Sequence, residues 1–74
     1  MISKEIGLIE REYNKAVYKH PGKRHTAHEA YAYILEEVRE LEKEVFQQEQ
    51  DIEKMRIEAA HIIVTAIRFI QDIC

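Results

Sequence analysis

The stretch DIEKMRIEAAHIIVTAIRFIQDI, residues 51–73, decides the fold. Within it Ile52, Met55, Ala59, Ile62, Ala66, Phe69 and Ile73 recur at alternating spacings of three and four, which on a helix makes one apolar seam for a neighbouring helix. Ile57, Ile63, Val64, Ile67 and Ile70 lie off that seam, so most of the circumference of the C-terminal half is apolar. A monomer of three helices does not cover so much apolar surface. What stays polar is a stripe of Glu58, His61, Thr65, Arg68 and Asp72, confined to roughly 80° of arc at 100° per residue. A solvent-exposed strip is the simplest reading of such a stripe, but here apolar residues flank it on both sides.

Working outward, Gln47-Gln48-Glu49-Gln50 interrupts the apolar period, and Asp51 is an N-cap for the helix that follows. The preceding helix, near residues 26–47, carries Tyr31, Ile34, Val38, Leu41 and Val45 in the same alternation. It opens on Thr26 and Glu29, a capping-box pair. His20-Pro21-Gly22-Lys23-Arg24-His25 is a break, because proline removes a backbone donor and glycine favours turns. Before it, Ile6, Ile9, Tyr13, Ala16 and Val17 mark an amphipathic helix over about residues 3–19. No strand pattern competes. The expected fold is all-α: a single domain over 1–74, three helices per chain, forming an oligomeric helical bundle.

Composition sharpens the need for a partner. A core built from 74 residues supplies only about 3–5 kcal/mol unaided, and the lone Cys74 permits neither an intrachain disulfide nor a Cys/His zinc site. Self-association is what remains. The N-terminus has no apolar run of signal-peptide length, and the longest uncharged run, 59–67, is far short of a membrane span, so the cytoplasm is the expected compartment. A formal net charge of −3 gives no reason to expect nucleic acid as partner. The basic run Lys19, His20, Lys23, Arg24 and His25 could hold phosphate or nucleic acid, but a solvated turn is the simpler reading.

Acids concentrate on the second helix, where Glu29, Glu36, Glu37 and Glu40 crowd one face and repel one another. A short connection favours antiparallel packing of the second and third helices, which would bring Glu37 and Glu40 toward Glu58 and His61. Clustered carboxylates away from water need a cation, and hard divalent ions combine carboxylate ligands with water and substrate phosphate. A solvated acidic face is the alternative.

The stretch His28-Glu29-Ala30-Tyr31-Ala32-Tyr33-Ile34-Leu35-Glu36-Glu37-Val38-Arg39-Glu40-Leu41 resembles the first metal-binding helix of the MazG-like, all-α nucleoside triphosphate pyrophosphohydrolases. That family pairs Glu-x-x-Glu, often after another Glu, with a later Glu-x-x-Asp. Glu37-x-x-Glu40 behind Glu36 fits the first half, and Glu58-Ala59-Ala60-His61 stands in the place of the second. His61 departs from the family aspartate; an imidazole suits Mn²⁺ and other transition ions better than Mg²⁺. The third helix also resembles short, phage-type members, and the likeness runs from Thr26 to Asp72. It implies hydrolysis of an NTP or dNTP to the monophosphate and pyrophosphate, with Mg²⁺ or Mn²⁺ held by Glu37, Glu40, Glu58 and His61. Glu36 and Glu37 would be the catalytic acids, Glu36 as a further ligand or general base. Dimers or tetramers are implied as well.

Arg68 and Tyr33 are the candidate substrate-binding residues. The guanidinium of Arg68 suits a phosphate, or else a salt bridge to Asp72 one turn on; Tyr33, like Tyr31, could stack on a base or belong to the core. Met55 is read as core. The first helix contributes nothing specific to the site. A second reading stays open, in which the altered ligand set has lost catalysis and the oligomer binds a nucleotide or another protein.

Overall fold

A computed structural model describes residues 2–74, and in it the periodicities become α1 (Ser3–Lys19), α2 (Ala27–Val45) and α3 (Ile52–Ile73). Both caps form. Asp51 Oδ1 accepts from the backbone N–H of Lys54 at 3.1 Å, and Thr26 Oγ1 from that of Glu29, also at 3.1 Å. The return arm of the capping box reaches one residue further back than expected: Glu29 Oε1 accepts from the N–H of His25, at 2.9 Å. No strand occurs among the described residues, and no helix is long and apolar enough to cross a membrane.

The central element is α3, which packs on both α1 and α2, while these two do not pack on each other. The backbone N–H of Arg24, ahead of α2, donates to Asp72 near the end of α3 at 2.9 Å, so α2 runs antiparallel to α3. By contrast α1 advances with α3: Glu12 meets His61, and four to eight residues later Ala16 and His20 meet Arg68. A trough is left between α1 and α2, floored by α3.

Sequence periodicity located only part of the packing. Along the seam, Met55, Ala59, Ile62, Ala66, Phe69 and Ile73 are half-buried and Ile52 is exposed, so Met55 is not sealed core. The fully buried line on α3 is Ala60, Val64 and Arg68, roughly half a turn around the helix from that seam. A single three-four alternation describes one neighbour, whereas α3 has two. The polar stripe lies between these two faces and looks into the trough. On the opposite side Ile52, Ile63 and Ile70 face outward, at 61, 48 and 64% exposure.

Polar ties attach α1. Tyr13 donates to Gln71 Oε1 at 2.8 Å, Glu12 pairs with His61, and Arg68 donates to the carbonyls of Ala16 (3.5 Å), His20 (2.6 Å) and Gly22 (3.2 Å). A helix C-terminus leaves carbonyls without intrahelical partners and carries partial negative charge, which suits a buried cation. Arg68, only 5% exposed, is therefore the cap of α1 supplied from another helix.

Arg68→Ala is expected to cost about 2–4 kcal/mol, since it removes a buried side chain, opens a cavity and breaks the part-buried hydrogen bonds to the carbonyls of His20 and Gly22. Amide exchange in α1 should accelerate more than in α2. Uniform acceleration, or none, would show that α1 does not depend on this cap.

Candidate functional site

Each helix brings one acidic side chain to His61. From α3 itself comes Glu58, three residues earlier, its Oε1 3.8 Å from His61 Nδ1. From α2 comes Glu37, whose Oε2 lies 3.6 Å from the same nitrogen. From α1 comes Glu12, whose Oε1 lies 2.9 Å from Nε2. The ligand atoms of Glu37, Glu58 and His61 all fall within 4.8 Å of one another.

Glu12 is the most buried acid of the group, at 5% exposure, and both its oxygens are engaged: Oε1 by His61, Oε2 by Lys15 Nζ at 3.3 Å and Arg11 Nε at 3.8 Å. Burial pushes its carboxyl up, but the hydrogen bonds and charges of His61 and Lys15 outweigh burial and hold it below the usual glutamate range. An ionised carboxylate only accepts, so His61 Nε2 carries the hydrogen and donates. The charged imidazole is what acts on Glu12 and Glu37 electrostatically; in the neutral imidazole, with Nε2 donating to Glu12, Nδ1 presents its lone pair to Glu37 and Glu58. Three acceptors facing one another invite a cation, and this donor set fits a divalent metal: two carboxylates, one imidazole nitrogen, and a buried carboxylate behind the ring.

Glu37 shifts the other way. Burial raises its carboxyl, opposed by His61 and reinforced by the charges of Glu58, Glu36 and Glu40. Its ionised form is thus strained unless a counter-charge arrives.

The remaining sequence candidates divide. Glu40 pairs with Lys43 Nζ at 3.3 Å and lies outside the converging group. Glu36 is exposed on the trough wall beside Glu37. Tyr33 is half exposed rather than core, with the Arg24 guanidinium 4.4 Å above its ring; Tyr31 is exposed too. Arg68 lines the trough floor but spends its donors on the backbone of α1 and the following loop, and forms no ion pair with Asp72, which accepts the backbone N–H of Arg24 instead. Burial and neighbouring Arg24 lower the Arg68 pKa, partly offset by Asp72.

The residue that sequence reasoning missed is Glu12. It sits three residues after Ile9 and four before Ala16, at the edge of the apolar face of α1, and an acid in that arc was the available signal.

Beside the cluster, the trough holds a cavity of about 550 Å³ lined by the basic Lys19, Lys23 and Arg24 and the acidic Glu36 and Glu37. It merges through Glu37, Val64 and Thr65 with a second of about 330 Å³ that reaches Glu12, Lys15 and His61. These volumes suit a small organic ligand. Compared with family models, curated proteins and solved structures, the chain has no match.

The opposed shifts of Glu12 and Glu37 give the apo protein a pH signature. Glu12, ionised more readily when folded, adds stability above about pH 4.3, the unperturbed glutamate value, and loses it as pH falls through its lower folded value. Glu37, holding its proton more tightly when folded, costs stability progressively as pH rises from about 4.3 through its raised value. In chelator, Glu37→Gln should melt about 1–4 °C higher than the parent near neutral pH and gain nothing at about pH 4. An equal shift at both pH values would contradict the assignment.

Proposed function

We propose that this chain is a metal-dependent nucleoside triphosphate pyrophosphohydrolase of the MazG-like kind, converting an NTP or dNTP to the monophosphate and pyrophosphate. The observation that carries this reading is the convergence of Glu37, Glu58 and His61 beside a trough that Glu37 lines together with Lys19, Lys23 and Arg24. Phosphate chemistry requires that pairing: carboxylates to hold Mg²⁺ or Mn²⁺, and cations to receive the charge of a triphosphate.

A divalent ion bound there supplies Lewis-acid polarisation of a phosphoryl oxygen and makes a water more acidic. The chain's own groups do the rest. Glu36, exposed on the same wall, takes the proton of the attacking water, whose oxygen bonds to the α-phosphorus. The bond from the α-phosphorus to the α–β bridging oxygen breaks, and its electron pair leaves with pyrophosphate. Lys19, Lys23 and Arg24 hold the β- and γ-phosphates, and Tyr33 offers an aromatic edge to the base. Arg68 acts indirectly, by fixing the loop that carries Lys23 and Arg24. Glu40 serves as an outer ligand only if it leaves Lys43.

The same reading includes assembly as a dimer or tetramer. Among the described residues the buried apolar side chains are only Ala30, Ala60 and Val64, and the chain exposes 5839 Å². A folded monomer of 8.8 kDa exposes about 4,800 Å², and the excess is close to the ~800 Å² that one partner buries in a standard interface. Exposed Ile2, Ile6, Ile63 and Ile70 follow one side of the α1–α3 pair, where the surplus would be covered.

One observation favours a second reading, a catalytically silent oligomer that retains a nucleotide or a protein partner. His61, which departs from the family aspartate, spends Nε2 on Glu12 at 2.9 Å, a tie between α1 and α3 that serves packing.

A pyrophosphate-release screen over ribo- and deoxyribonucleotides with Mg²⁺ and Mn²⁺ decides between them. Release from at least one nucleotide, abolished in Glu37→Gln, is expected, from a species of at least twice 8.8 kDa in sedimentation equilibrium. No release, with nucleotide retained through gel filtration, would establish the silent binder; a folded monomer would remove the assembly.

A further inference from the structure

We infer that Glu12 is a positioning residue that turns the Glu37/Glu58/His61 cluster into a site selective for a transition ion such as Mn²⁺ over Mg²⁺. The inference rests on the metal-site reading above and adds a residue from a helix to which the sequence assigned no part in the site.

The geometry is specific. Glu12 is buried on α1 and meets the nitrogen of His61 that faces away from Glu37 and Glu58, at 2.9 Å, leaving Nδ1 aimed at those two carboxylates. A ring whose far N–H is held by a carboxylate is fixed in rotation and tautomer, and its free nitrogen becomes a stronger donor. Lys15 and Arg11 hold the other oxygen of Glu12, so the carboxylate cannot swing away without losing them. On α3, Thr65 turns its hydroxyl onto the carbonyls of His61 and Ile62, at 3.0 and 2.9 Å, and does not compete for the imidazole.

Selectivity follows from ligand chemistry. Mg²⁺ gains little from an imidazole and can bind through the two carboxylates with water completing its shell. Mn²⁺ prefers oxygen but, as a transition ion, gains more from an imidazole than Mg²⁺ does, so a correctly presented Nδ1 adds to its affinity selectively. Removing Glu12 should therefore weaken Mn²⁺ and largely spare Mg²⁺. A purely structural role for Glu12 would move both ions together, because both depend on α2 and α3 holding Glu37 beside Glu58.

The test is calorimetric titration of the whole chain with Mn²⁺ and with Mg²⁺, each alone, in the parent, Glu12→Gln, Glu12→Asp and Glu37→Gln, with helicity checked by circular dichroism. Glu12→Gln is expected to weaken Mn²⁺ about 10-fold or more while changing Mg²⁺ less than about threefold. Glu12→Asp, which keeps the carboxylate on a shorter arm, should recover part of the preference and covers the case in which the glutamine variant folds poorly. Equal losses for the two ions, or none, in a variant that remains helical would overturn the role of Glu12 while leaving the metal site standing if Glu37→Gln still abolishes binding. A parent protein that binds neither ion would overturn the site and this inference together.

Discussion

The imidazole of His61 is where the three helices meet chemically. Among the described residues the buried apolar side chains are small and few, and the apolar packing between α1 and α3 is supplemented by polar contacts. Two of them dominate. Arg68 neutralises and caps the end of α1, and Glu12 reaches His61 from the middle of it. Breaking a buried charged contact costs far more than its net contribution, because the partner is left desolvated and alone. The position of α1, and with it the shape of the trough, therefore depends on two residues of α3 that a hydropathy profile would assign to a polar surface.

The same residues explain why the trough carries both charges. Arg68 draws the loop after α1 toward α3, and that loop carries Lys23 and Arg24 to the trough. Meanwhile α2, antiparallel to α3, sets Glu36 and Glu37 along its wall. Basic side chains from α1 and the loop and acidic ones from α2 thus line one space. The strained ionisation of Glu37 is the cost of keeping that wall acidic, a common compromise between stability and a functional site.

Much of this was legible in the sequence. The three helices, the caps at Thr26 and Asp51, and the approach of Glu37 to Glu58 and His61 follow from local period and short connections, which act over a few residues. What escaped were features set by three-dimensional neighbours. Glu12 drew no notice on α1 because its partner lies 49 residues away. Arg68 looked like a phosphate ligand or a partner of Asp72, since nothing local reveals that the end of α1 comes to rest against it. Glu40 matched the motif spacing as well as Glu37 did, yet a neighbouring Lys43 holds it outside the group. The buried ridge of α3 was misplaced because one alternation describes one neighbour, and this helix has two.

The central claim is that Glu37, Glu58 and Nδ1 of His61 form one cation site, with Glu12 holding the ring from behind. Anomalous scattering from crystals grown with Mn²⁺, with data collected on either side of the manganese edge, tests it most directly. The account predicts a single strong peak bounded by those three ligand atoms, with His61 Nε2 still against Glu12. A peak elsewhere, such as beside Glu40, or an unoccupied cluster at millimolar Mn²⁺ with the imidazole turned away from Glu12, would contradict it.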